Sequence, residues 1–269
     1  MTDFRSRYAR LCRAILWCIS FHAASAAFAQ ASFSPDSSDL WWNPAESGWG
    51  MQIVEEGNAS FATLFVYDAS GMPTFYTATL SLAAQSWSGD LYRSTGPYFG
   101  AASFDPALVG LRKVGTLTFT RLSSDSATLQ YSVDGVAVSK TVVRQLLRYD
   151  NYSGTYVTTV FLVASHCSSF PADRAPTGSF LITVDQTENT MTLSGAFAHP
   201  SACTYTGTYV QAGRVGALGA AYTCADGDKG NMNFFDLTRR PGMIAGRLSG
   251  HSDSDSCDYS GAFTGLIPM

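Results

Sequence analysis

The chain has 269 residues, of which only 14% are charged and 24 are Gly, with a formal net charge of −4. Such a composition belongs to turns and half-buried strands rather than solvated helices, and the length suits one large or two small domains. Beyond the first 29 residues the balance is acidic and holds no Lys/Arg cluster, which is poor equipment for neutralising phosphates and argues against nucleic acid as a partner.

At the N-terminus, Arg5, Arg7, Arg10 and Arg13 precede an apolar run that ends in Ala27-Phe28-Ala29. A positive n-region, a short apolar stretch and an A-x-A site predict a cleaved secretory signal over residues 1–29, and the Trp17 before Cys18 argues against a lipoprotein site. Its removal takes away four Arg and one Asp, moving the net charge from −4 to −7. No later stretch reaches the roughly 18 apolar residues that a spanning helix needs, so no transmembrane segment is expected after cleavage, and the protein is expected in the periplasm or outside the cell.

Residues 30–38 are small and polar and read as a flexible leader. From Asp39 onward the pattern has period two. Trp49, Met51 and Ile53 alternate with Gly50 and Gln52, and Leu129, Tyr131 and Val133 alternate with Thr128, Gln130 and Ser132. Each such run predicts a strand with one buried face. Asp134-Gly135 is the strongest short hairpin signal, because both residues tolerate positive φ in a two-residue turn. Residues 39–149 therefore read as an N-terminal β domain of seven or eight strands.

Residues 150–269 read as a second β domain, marked by a repeat. Tyr152-Ser-Gly-Thr-Tyr156, Tyr205-Thr-Gly-Thr-Tyr209 and Tyr259-Ser-Gly-Ala-Phe263 share one pattern, and Cys203 and Cys257 each stand two residues ahead of a repeat Tyr. The predicted fold class is all-β, with two antiparallel meanders, each barrel-like or a sandwich. Cys167, Cys203, Cys224 and Cys257 make an even set in an exported chain, which predicts two disulfides. The matching places of the repeats favour Cys167–Cys203 and Cys224–Cys257. No C-x-x-C pair points to zinc, and no metal or cofactor is expected.

Candidate chemistry is sparse. His166, His199 and His251 all lie in the second half, and a hydrolase built on His166 or His199 with a nearby acid is one functional alternative. No G-x-S-x-G elbow supports it, and no catalytic residue is assigned. Asp226-Gly-Asp228-Lys-Gly230 and His251-Ser-Asp253-Ser-Asp255 resemble calcium loops; the first lacks the bidentate Glu, and both read as hairpin tips.

The first half carries the aromatic load. Trp41, Trp42, Trp49, Trp87 and Tyr76, with Glu46 among them, are the candidate ligand-binding residues for a glycan or an apolar small molecule, since aromatic platforms beside a carboxylate suit both. The structural alternative is that these rings fill a barrel, with a Trp near its start stacked on an Arg of its last strand such as Arg144.

Trp41-Trp42-Asn43-Pro44-Ala45-Glu46-Ser47-Gly48-Trp49-Gly50, followed by Phe65-Val66-Tyr67-Asp68, resembles a module of exported bacterial β-rich proteins with a W-[WY]-x-P-x-x-S-G-x-G signature. The resemblance covers the first half. It implies export and a β-rich fold, and it implies no activity. The leading functional expectation is a non-catalytic binding or envelope-associated module.

Overall fold

A computed structural model describes residues 36–168, 177–197 and 201–268. The signal segment, most of the leader and His199 lie outside those residues. What is described is all-β: strands, one 3-10 turn at Pro106–Leu108, and no α-helix. The first eight strands are β1 (Asp39–Trp42), β2 (Gly50–Glu56), β3 (Ala59–Tyr67), β4 (Pro73–Ala83), β5 (Ser86–Thr95), β6 (Gly110–Arg121), β7 (Ser126–Val133) and β8 (Val136–Arg144). They form an antiparallel meander closed into a barrel where β8 returns to β1, with Trp41 opposite Arg144. The second eight are β9 (Gly154–Ser165), β10 (Thr177–Thr187), β11 (Thr190–Gly195), β12 (Cys203–Ala212), β13 (Val215–Cys224), β14 (Lys229–Arg240), β15 (Met243–Ser252) and β16 (Asp258–Leu266). These also close, by β16 against β9. Closure removes the unpaired edges that an open sheet of this kind would expose.

Alternation decides what fills each barrel. In the first, Met51 and Ile53 point inward from β2, Leu64 from β3, Leu117 and Phe119 from β6 and Leu129 from β7, all buried. Each such side chain contributes about 1.5–3 kcal/mol by leaving water. The β7–β8 hairpin turns at Asp134 and Gly135 with φ of +48° and +87°, as the Asp-Gly pair predicts.

The second barrel is filled by rings. Phe197 meets Phe234 and Phe263 edge-on at 5.7 and 5.4 Å, and Tyr205 meets Phe234 the same way. Three of the buried phenols donate hydrogen bonds: Tyr156 to the carbonyl of Tyr152 at 2.9 Å, Tyr205 to that of Phe197 at 3.1 Å, and Tyr222 to the Asp228 carboxylate at 3.0 Å. Two cavities inside this barrel measure only about 20 and 10 Å³. Two of the three repeat glycines, Gly207 and Gly261, sit where neighbouring strands approach closely. A Cβ on Gly207 would collide with the carbonyl oxygen of Gly219, and one on Gly261 with that of Phe161.

Burial pushes the phenols of Tyr152, Tyr205 and Tyr222 up, and that of Tyr209 up to about 12. An unfolded tyrosine ionises near pH 10. Above that pH the unfolded chain releases protons that the folded chain keeps. Stability is therefore full below about pH 10 and is lost as the pH rises toward 12. In an alkaline titration, phenolate absorbance from these tyrosines is expected to appear together with loss of β-sheet circular dichroism; early ionisation in a still-folded chain would contradict their burial.

The disulfides differ from the expected pairing. They are Cys203–Cys224 and Cys167–Cys257. The reason is register: β12 and β13 are neighbours with Cys203 directly opposite Cys224, while closure of β16 on β9 sets Asp258 opposite Ser165 and so brings Cys257 to Cys167. The repeat shows which positions are equivalent but not which strands touch.

The end of the leader, residues 36–38, is also tighter than its composition suggests. Ser37 is fully buried. Its carbonyl accepts from the Trp41 indole at 2.9 Å and its hydroxyl from the Trp87 indole at 3.1 Å, while its amide donates to Glu55 at 2.7 Å. The buried Arg144 guanidinium donates to the carbonyls of Asp36, Ser38 and Ser124 and to the Asp39 carboxylate, and it lies 4.7 Å from the Trp41 ring centre. Arg121 beside it donates to the Asp36 carbonyl, and burial, together with the Arg144 charge, pulls its pKa down to about 10. From the β12–β13 turn, Arg214 pairs with Asp36, and its amide donates to Asp39 at 3.1 Å.

Candidate functional site at one end of the first barrel

Because the strands alternate in direction, the connections 43–49, 68–72, 96–109 and 134–135 all emerge at the same end of the first barrel. The opposite end is the one sealed by Ser37, Trp41, Trp87, Arg121 and Arg144. The two ends differ in chemistry as well as in position.

The candidate ligand-binding residues divide between core and rim. Trp41 is 0% exposed, Trp87 2% and Tyr76 7%, so these three belong to the packed interior and are not offered to a ligand. Trp41 packs on Phe119 at 4.9 Å and under Arg144, which is the structural arrangement the sequence holds open. Large rings win the interior because a barrel of eight short strands has few other side chains big enough to fill it. Trp42, next along β1, faces outward and is half-buried. Trp49 and Glu46 stand at the loop end.

The loop holding them is built locally. The Asn43 side chain accepts from the amide of Ala45 at 2.9 Å, its carbonyl accepts from Glu46 at 3.0 Å, and Gly48 turns the chain with φ +116°. Trp49 packs against the core and donates its indole N–H to Glu46 at 3.0 Å. Lys140, inward-facing on β8, donates to the other Glu46 oxygen at 2.6 Å. The Lys140 ammonium, with help from the indole, holds the Glu46 carboxyl below the usual carboxylate range. Burial raises the Tyr131 phenol nearby, with the Glu46 charge adding to the shift.

Glu46 and Lys140 are both partly open to water, at 39% and 33% side-chain exposure. An exposed pair contributes little to stability. Glu46→Ala is therefore expected to leave the melting temperature nearly unchanged while shifting the fluorescence of Trp49, which loses its acceptor. A large fall in melting temperature would mark the pair as structural.

On the outer face of β6–β8 lies an open groove of about 320 Å³ lined by Thr116, Thr118, Gln130, Ser132 and Ser139, with Tyr131, Ala137 and Val138. Its lining is uncharged and rich in hydroxyl and amide groups. These residues were not singled out in the sequence, where they read only as the polar half of an alternating pattern. A clue is the density of small residues on adjacent outward positions, which leaves a hollow where long side chains would otherwise stand.

The histidine alternative gains one geometric fact. Asp258 accepts from or bonds to His251 Nδ1 at 2.8 Å and His166 Nδ1 at 3.0 Å, and the two imidazoles hold its carboxyl below the usual range, His251 more than His166. The cluster is exposed, beside the Cys167–Cys257 bridge. No hydroxyl or thiol nucleophile bonds to either imidazole among the described residues. The two calcium-like stretches form the turns after β13 and after β15, and no metal-binding group of three ligands occurs among the described residues. Asp228 accepts from Tyr222, from the Ser252 hydroxyl at 2.7 Å and from the Lys229 amide at 2.8 Å, acting as an internal brace of the second barrel.

No family model and no curated protein matches the chain. Among solved structures, one from Bacteroides fragilis NCTC 9343, provisionally assigned as an outer membrane protein, aligns at 11% identity and a TM-score of 0.32, covering 84% of this chain and 94% of that one. Transferrin binding protein B from serogroup B Neisseria meningitidis aligns at 10% identity and a TM-score of 0.30, covering 86% of this chain and 69% of that one. A Trp-176-Ala mutant of transferrin binding protein B from Haemophilus parasuis Hp5 aligns at 9% identity and a TM-score of 0.27, covering 83% of this chain and 66% of that one.

Proposed function

We propose that this protein is an exported, non-catalytic binding module that holds a neutral glycan at the loop end of its first barrel, in the groove across β6–β8 and against the Trp49–Glu46–Lys140 rim. Export is supported by the signal-like segment, by the resemblance of residues 41–50 to the exported module, and by disulfides that suit an oxidising compartment.

The observation that carries the binding site is the contrast between filled interiors and an open outer hollow. Among the described residues, the cavities inside the second barrel measure about 20 and 10 Å³, and the first barrel is packed with tryptophan and leucine. The groove of about 320 Å³ falls in the usual range of small-ligand sites. Hydroxyls and an amide without charges match the alternating donors and acceptors of a neutral sugar. Tyr131 links the groove to the rim, since it lines the one and its phenol feels the Glu46 charge of the other.

A panel of neutral oligosaccharides titrated against tryptophan fluorescence tests the reading. Binding is expected to quench or shift Trp49, and Ala137→Trp, which fills the groove from an exposed position, is expected to abolish binding with circular dichroism unchanged. Binding that survives Ala137→Trp would place the ligand elsewhere, and no response to any sugar would sink the glycan assignment.

A further inference from the structure

The connection 96–109 between β5 and β6 is the longest in the first barrel, and every residue from Tyr98 to Lys113 is exposed. Long ordered connections in compact barrels are usually functional. This one has local order without burial. A turn closes from the Ala101 amide to the Tyr98 carbonyl at 3.1 Å, and Asp105 caps the 3-10 turn by accepting from the Ala107 amide at 2.9 Å. The Tyr98 and Phe99 rings lie 4.7 Å apart at the tip, with Phe99 92% exposed and Phe104, Leu108 and Leu111 also exposed.

We propose that this loop is an interfacial anchor that dips into the surface of a phospholipid bilayer, adding a membrane contact at the same barrel end that binds the glycan. Within 96–109 the sole charge is Asp105, which sits back at the cap of the 3-10 turn, so the Tyr98–Phe99 pair itself carries no ionised group. Aromatic rings favour that layer. Behind the tip, the stem pairs Arg93 with Arg112 across the strands, and Lys113 follows. Arg112 is held by Asp134 at 2.6 Å and Lys113 by Asp90 at 2.7 Å, exposed pairs that phosphate can exchange cheaply. Arg93 stands near acids without a short pair among the described residues, its charge felt by Asp68 and Asp134. An apolar tip with cations one step behind it is the arrangement of an interfacial anchor on anionic lipid. A protein partner would need pockets to receive it, and a loop with nothing buried is better matched to a deformable medium.

The test is flotation of the exported chain with vesicles of phosphatidylethanolamine and phosphatidylglycerol. The protein is expected to float with them, and Phe99→Ser and Phe104→Ser each to lower the partition coefficient about tenfold, with unchanged melting because both rings are exposed. Arg93→Gln is expected to weaken binding to the anionic vesicles while leaving that to neutral phosphatidylcholine unchanged. Wild-type protein that stays unbound, or an equal loss from Phe161→Ser on the outer face of the second barrel, overturns the proposal. The inference shares the barrel end with the glycan reading but not its residues, so Ala137→Trp and Phe99→Ser fail or succeed separately.

Discussion

Replacing Arg144 with alanine is expected to cost about 3–5 kcal/mol, read as a lower urea midpoint with an unchanged slope. The guanidinium is fully buried and serves three carbonyls and one carboxylate from the segment 36–39 and Ser124, while its face covers Trp41. Truncation strands Asp39 and those carbonyls without their donor and leaves a hollow above the indole. Desolvation disfavours the charged guanidinium, and Asp39 opposes that effect. The site is thus held by the match of partners rather than by charge alone. Arg144→Lys, which keeps the charge but lacks the planar fork, is expected to recover only part of the loss. A loss below about 1 kcal/mol for Arg144→Ala would mean that the seal at this end is ornamental to stability.

Removing the two disulfides is expected to cost unequal amounts. Cys167–Cys257 spans 90 residues of sequence and Cys203–Cys224 spans 21. Loop-closure entropy in the unfolded chain then gives about 4.5 kcal/mol for the first and about 3 kcal/mol for the second. Paired Cys→Ser variants, compared by denaturant unfolding, are expected to follow that order. The first bridge also lies beside the β9–β16 seam where the second barrel closes, so its loss frees the strands with the least local reason to find each other. Equal losses, or the reverse order, would show that unfolded-state entropy does not govern these bridges.

The architecture was largely legible because strand alternation and turn chemistry are local. Met51 and Ile53, or Leu129 with Asp134-Gly135, announce their faces and turns within a few residues. What failed was non-local. The disulfide pairing depends on which strand lies beside β9, a fact that Cys167 and Cys257 encode only through barrel closure. Aromatic residues posed a different problem: Trp41 and Trp49 stand in one motif, yet one is fully buried under Arg144 and the other sits at the opposite end on Glu46. A tryptophan's sequence neighbourhood does not reveal whether its ring closes a core or borders a rim. The groove was illegible for a related reason, since a hollow is made by what Ser132, Ala137 and Ser139 lack.

The clasp between Arg214 and the acidic pair Asp36 and Asp39 joins positions up to 178 residues apart. A chain that emerges from a translocon N-terminus first presents Asp36 and Asp39 long before their partner exists. The first barrel has all its strands by Arg144, and the second barrel's β12–β13 turn arrives afterwards as a latch. Joining the two barrels through this clasp is thereby postponed until the β12–β13 turn has been made.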